Sequence, residues 1–173
     1  MLKYFYREEN MVNEKNIILV GLSNEFVKFG ANLLAEKLGY YNLDVDSMLE
    51  YTLMDRIKMK QVCGVKYLDE QEKKVIKSLN DYEKTVMSIK LDTFAANIKS
   101  LQDNNMLVYL SFNKKQVKDL NKLLTNEFKT EITLNDLLFQ EHDKYLKKNC
   151  DIILKCDINN IDESFNELIE KIK

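Results

Sequence analysis

The 173-residue sequence predicts a doubly wound α/β fold, a three-layer αβα sandwich around a mainly parallel sheet. Two observations carry this. Four short apolar runs, Ile17–Val20, Val86–Ile89, Met106–Leu110 and Ile152–Leu154, are rich in β-formers, and their near-continuous apolarity suits strands covered on both faces. Between them lie longer stretches with helical spacing, and strands that alternate with helices wind into a parallel sheet.

Taken in order, the first run ends at Gly21, a tight turn, and a helical pattern follows over Glu25–Leu38. Tyr41–Leu43 is a weaker fifth strand. Helical spacing then predicts Ser47–Met59 and Leu68–Leu79, with Gly64 marking an internal loop around Lys60–Lys66. Further helices are expected over Thr93–Leu101, Lys114–Leu124, Asn135–Lys148 and Asp162–Ile172. Thr133 and Asp136 read as a capping box. In the last helix Ile161, Phe165, Leu168, Ile169 and Ile172 form a stripe that must face a core. Residues 1–15 read as an N-terminal extension and 16–173 as one domain; aromatic residues Tyr4, Phe5 and Tyr6 give the extension an edge that could dock on a partner.

Composition narrows the function. A net charge of −2 argues against a general nucleic-acid binder, and no apolar run is long enough to span a membrane. The start lacks the apolar core of a signal peptide, so a cytoplasmic protein is expected. Cys63, Cys150 and Cys156 follow no metal-binding spacing and read as reduced, buried thiols. Only two of the 26 basic residues are arginine, Arg7 and Arg56. Arginine is the side chain that grips phosphate and carboxylate with two parallel hydrogen bonds, so few such grips exist here.

The turn after the first strand falls where a phosphate-binding loop, G-x-x-x-x-G-K-[ST], would stand. In that loop glycines let backbone N–H groups curl around phosphates, the lysine reaches them, and the hydroxyl holds magnesium. Gly21 fits the first position. The second glycine is replaced by Phe26, the lysine by Val27 and the hydroxyl by Lys28, with Glu25 adding negative charge. Lys28 is one residue late, roughly 100° around a helix from the required direction.

Gly21 to Leu38, followed by Asp44-x-Asp46, resembles the N-terminal third of shikimate kinase, a family of the nucleoside-monophosphate-kinase-like group. Later landmarks come in order. Gly64 to Ile76 is similar to the family's G-x-x-x-F-R-x-x-E-x-x-V-I helix. Asn104 to Leu110 is similar to its G-x-V-V-Y-L strand, and Glu141 to Tyr145 with Cys150-Asp151 to its E-R-x-P-x-Y … A-D segment. The resemblance implies a P-loop-kinase topology with strand order 2-3-1-4-5. It implies that Asp44 lies near the metal and that Asp46 binds substrate hydroxyls and helps to activate the nucleophile. It also places the family's substrate arginines on Asp69 and His142, its glycine triplet near Lys90-Leu91-Asp92, and its arginine-rich lid between Leu120 and Thr133, where no arginine occurs.

Phosphoryl transfer depends almost wholly on positioning and charge stabilisation. The expected function is therefore that of a shikimate-kinase-like chain with degenerate nucleotide and substrate sites. It would be catalytically inactive and act as a binding, scaffold or regulatory module, with no cofactor and another protein as its partner. The alternative is a diverged but active kinase that moves a phosphoryl group from ATP to a hydroxyl of shikimate. Gly21 and Lys28 would then hold the nucleotide, Asp44 the magnesium and Asp46 the substrate.

Both aspartates have a simpler reading: an Asp after a short strand commonly caps the next helix, and Asp46 precedes the helix-like Ser47-Met48-Leu49. His142 reads as a solvated helix residue. Tyr40 and Tyr41 read as core or half-buried strand positions, and Glu70 to Lys74 as a solvated face with i,i+4 pairs.

Overall fold

A computed structural model of the protein describes residues 15–113, 115–117, 119 and 136–172. The N-terminal extension, the capping-box Thr133, most of the predicted Lys114–Leu124 helix and the segment resembling the lid lie outside the described residues.

Five strands form one parallel sheet: β1 (Asn16–Gly21), β2 (Tyr41–Asp44), β3 (Thr85–Ser88), β4 (Asn105–Ser111) and β5 (Ile152–Lys155). Their order is β2-β3-β1-β4-β5, as the resemblance implied. β1 is central and every one of its residues is buried. It pairs with β3 from Ile17↔Val86 to Leu19↔Ser88, and with β4 from Asn16↔Asn105 to Gly21↔Leu110. The edge strands are less covered. Tyr41 on β2 is 78% exposed, contrary to its expected half-buried place.

The helices are α1 (Asn24–Leu38), α2 (Val45–Leu53), α3 (Arg56–Cys63), α4 (Val65–Ser78), α5 (Leu91–Leu101), α6 (Asp136–Asn149) and α7 (Ile161–Ile172). Two cores flank the sheet. On one face α1 and α7 pack over Ile17, Leu19, Val86, Val108 and Leu110, with Phe165 and Leu168 from the predicted stripe fully buried. On the other face α2, α4, α5 and α6 supply Leu49, Ile76, Phe94 and Leu146 over Ile18, Val20 and Met87. Alternate residues of β1 therefore feed opposite cores, the period of two that a strand imposes.

Local chemistry sets the boundaries. α1 ends at Gly39, whose φ of 67° is left-handed. There Gly39 N–H donates to Glu36 and Tyr40 N–H to Ala35, the paired bonds of a Schellman cap. Within α1, a Cβ on Gly30 would lie 2.7 Å from the Phe165 ring, so glycine allows α1 and α7 to approach. Asn16 fastens the start of β3: its side-chain nitrogen donates to the Leu79 and Tyr82 carbonyls, and its oxygen accepts from Thr85 N–H.

Two expectations of the sequence need correction. Ser47–Met59 is not one helix, because Met54 has φ 51° and Asp55 caps a new helix by accepting from Lys58 N–H. Nor is there a loop over Lys60–Lys66, since Gly64 alone separates α3 from α4. Its φ of 85° turns the chain within one residue, a conformation that glycine adopts without Cβ strain.

Candidate functional site

The parallel strands bring the residues singled out from the sequence to one end of the sheet. Gly21 closes β1, Asp44 closes β2 and Ser88 closes β3. This carboxyl edge is where open α/β sheets bind ligands.

The segment that would be a phosphate loop is almost all helix. Only Leu22 and Ser23 separate β1 from α1. Phe26 and Val27 lie within α1, and each is only 2% exposed. Phe26 meets Phe112 edge-on at 4.6 Å between ring centroids, and both residues belong to the core beneath α1. A Cβ on Gly21 would stand 3.0 Å from Val27 and 3.1 Å from the Leu110 carbonyl. This glycine is needed for close packing of strand and helix. Ser23 Oγ is buried at the start of α1 without a hydrogen-bond partner.

Lys28 and Asp44 find each other. Lys28 Nζ lies 2.9 Å from Asp44 Oδ2. Asp44 also caps α2: its Oδ1 accepts from Asp46 N–H at 3.1 Å and Ser47 N–H at 3.3 Å, and its Oδ2 from the Ser47 hydroxyl at 2.9 Å. Burial works to raise the Asp44 pKa, but hydrogen bonds from Lys28 and Ser47 outweigh it and hold the carboxyl below its ordinary value. The hydrogen bond to Asp44 holds Lys28 above its ordinary value, against the opposing effect of burial. The capping role expected of an aspartate here thus belongs to Asp44, not Asp46.

Asp46 is 7% exposed and reaches across to another helix. Its Oδ2 accepts from Lys90 N–H at 2.8 Å and its Oδ1 from the Thr93 hydroxyl at 2.6 Å. Lys90 is the residue preceding α5 and makes no side-chain cap of its own, so Asp46 caps α5 from α2. Nothing in the sequence flags this pairing, which spans 47 positions to Thr93. The segment aligned with the family's glycine triplet is this helix start, with side chains on Lys90, Leu91 and Asp92.

The crevice between Val27, Lys28, Asp44, Asp46, Ser88 and Lys90 offers about 160 Å³ and is nowhere wide enough for a water molecule. Small-molecule sites usually offer about 300–1,000 Å³. The residues present do not fit a nucleotide with magnesium. The would-be cradle is core, the lysine is engaged, and the metal candidate already serves a lysine and a cap. Among the described residues no group of three or more His, Cys, Asp or Glu could hold a metal ion.

A roomier cavity of about 500 Å³ lies beside it between α5 and α6, lined by Leu91, Asp92, Ala95, Glu141, His142 and Tyr145. It brings together two positions aligned with the family's substrate contacts, Asp92 and His142. His142 is half-buried there, not fully solvated. Asp69, aligned with the other substrate arginine, is exposed on α4 and does not line the cavity. A carboxylate substrate would meet acidic groups at Asp92 and Glu141.

The cysteines are mixed. Cys63 is exposed, contrary to expectation, while Cys156 is buried and Cys150 partly so. Burial pushes the thiols of Cys150 and Cys156 up to about 12, which keeps them protonated and unreactive at neutral pH. No helix among the described residues is long and apolar enough to cross a membrane.

The sequence matches the family described as shikimate kinase over residues 30–173. The match starts just past Lys28, so it takes in the frame and omits the altered loop. No curated protein matches significantly. Among solved structures, shikimate kinase from Acinetobacter baumannii in complex with shikimate is 19% identical with a TM-score of 0.68, covering 93% of this chain and 94% of that one. Shikimate kinase from Bacteroides thetaiotaomicron is 18% identical with a TM-score of 0.69, covering 91% and 98%. A gluconokinase from Sinorhizobium meliloti is 14% identical with a TM-score of 0.51, covering 92% and 95%. These likenesses agree on the P-loop kinase fold, and the family match spans most of the chain, which belongs to the shikimate kinase family.

Proposed function

We propose that this chain is a catalytically silent member of its family, one that keeps the kinase frame as a binding, scaffold or regulatory module for another protein in the cytoplasm. One observation carries the reading. Where a kinase needs a glycine and a lysine around the phosphates, Phe26 and Val27 are buried core residues. Val27 stands at the crevice beside Asp44 and Asp46 but carries no ammonium, and the neighbouring Lys28 is paired with Asp44. Lys28 would have to give up Asp44 to serve, and a substrate hydroxyl would have to share Asp46 with Lys90 N–H and the Thr93 hydroxyl.

The competing reading, a diverged but active ATP-dependent kinase acting on shikimate, draws on one observation. Ser23 Oγ is unpaired at the N-terminus of the helix that carries Lys28, and helix N-termini favour anions. Calorimetric titration separates the two. Neither magnesium ATP nor shikimate should give measurable heat at millimolar concentration, and no ADP should form. Micromolar ATP binding, with turnover that Lys28→Ala abolishes, would overturn the proposal in favour of the active kinase.

A further inference from the structure

We infer that the outer groove between α4 and α5 is a docking site for an acidic amphipathic segment of another protein. The groove holds about 520 Å³. Lys73, Lys74 and Lys77 of α4 and Lys99 of α5 line it, and Ala95 and Ala96 floor it. No carboxylate among the described residues lines it. Among the described residues none of the four lysines makes an ion pair; Glu72, the nearest acid in sequence, is taken by Arg56. All four lysines are exposed, and so are the two alanines. In a chain of net charge −2, this cluster is a local feature and not the overflow of a basic protein.

The geometry selects the occupant. α4 leads into β3 and α5 runs from β3 to β4, so both helices point their carboxyl ends towards the amino ends of the strands. The groove lies along their carboxyl-terminal halves, Lys73–Lys77 and Ala95–Ser100. Helix carboxyl ends offer no free N–H groups to wrap a compact phosphate. Among the described residues no arginine lines the groove to fork onto one. Carboxylates spread along a helix face suit separated ammonium groups. Apolar side chains of such a segment suit the alanine floor and the lysine stems. The groove is also separate from the crevice at Asp44 and Asp46, so the inference does not depend on whether the kinase is silent.

The probe is a fluorescein-labelled amphipathic Glu/Leu helical peptide added to the full chain, with binding read by anisotropy and mapped by amide NMR shifts. We expect saturable binding that weakens as salt rises, with shifts confined to Lys73–Ser78 and Ala95–Ser100. Lys73→Glu/Lys77→Glu should weaken it about tenfold or more while Lys73→Arg/Lys77→Arg keeps it. Lys73→Gln/Lys77→Gln serves if charge reversal disturbs α4. Absence of binding, shifts elsewhere, or equal affinity in the reversed variant would each overturn the inference. So would tighter binding of tripolyphosphate or of phosphatidylserine vesicles at the same residues, which would make the groove a phosphate site.

Discussion

At the scale of single residues, the decisive feature is where two side chains point. Phe26 and Val27 look in sequence like a damaged phosphate loop; in the fold they are structural residues of α1. Val27→Lys, the substitution that restores the family's lysine, should therefore fail to restore nucleotide binding. It should also destabilise the protein by about 1–3 kcal/mol, because a longer side chain overpacks a site that is only 2% exposed and pressed against Gly21. Urea unfolding of the variant checks this, and a stable, ATP-binding Val27→Lys protein would refute it. The sequence exposed the substitutions and placed both residues in a helix over Glu25–Leu38, but which face of that helix the core covers is set by neighbours such as Phe112 far along the chain. It also could not show that Asp46 is tied up, because hydrogen bonds between residues so far apart in sequence leave no local pattern.

Among the elements, α3 stands apart. None of its residues is buried, and Ile57 and Val62 are 73% and 74% exposed. Arg56, which pairs with Glu72, fastens it to α4, supplementing the turn at Gly64. Helices with few buried contacts open locally at low cost. We expect amide hydrogens of Arg56–Cys63 to exchange far faster than those of β1, and Arg56→Ala to speed them further without altering β1. Uniform protection across both elements would contradict this. The sequence predicts a single helix over Ser47–Met59 because no glycine or proline interrupts it. The break comes from the left-handed φ of Met54, which no residue type demands. By contrast, the three inner strands were readable almost residue by residue, because a strand covered on both faces must be apolar throughout.

For the whole molecule, the sheet divides the core in two, and the carboxyl edge joins the layers through charge. Lys28 stands on α1, on one face, and Asp44 begins α2, on the other. The depressed pKa of Asp44 and the raised pKa of Lys28 set the window of this link. Its contribution is complete between the unfolded values, from about pH 4 to about pH 10. It is lost as pH falls through the lowered Asp44 value, or rises through the raised Lys28 value. Asn also caps helices well, so Asp44→Asn isolates the charge. The variant should lose up to about 1 kcal/mol at pH 7, a figure kept small by solvent screening, and the loss should shrink as pH falls through the lowered Asp44 value. A loss that does not shrink with falling pH would mean that the cap, not the ion pair, carries the effect. Fold and topology were legible at this scale because alternating strands and helices leave few ways to wind. The crevice was not, because its closure depends on side-chain reach.

The capping of α5 by Asp46 makes one carboxylate a pin between elements far apart in sequence. Anything that drew its oxygens away from Lys90 N–H and the Thr93 hydroxyl would free the start of α5 from α2, so what happens in the crevice and how α5 is seated are coupled through a single side chain.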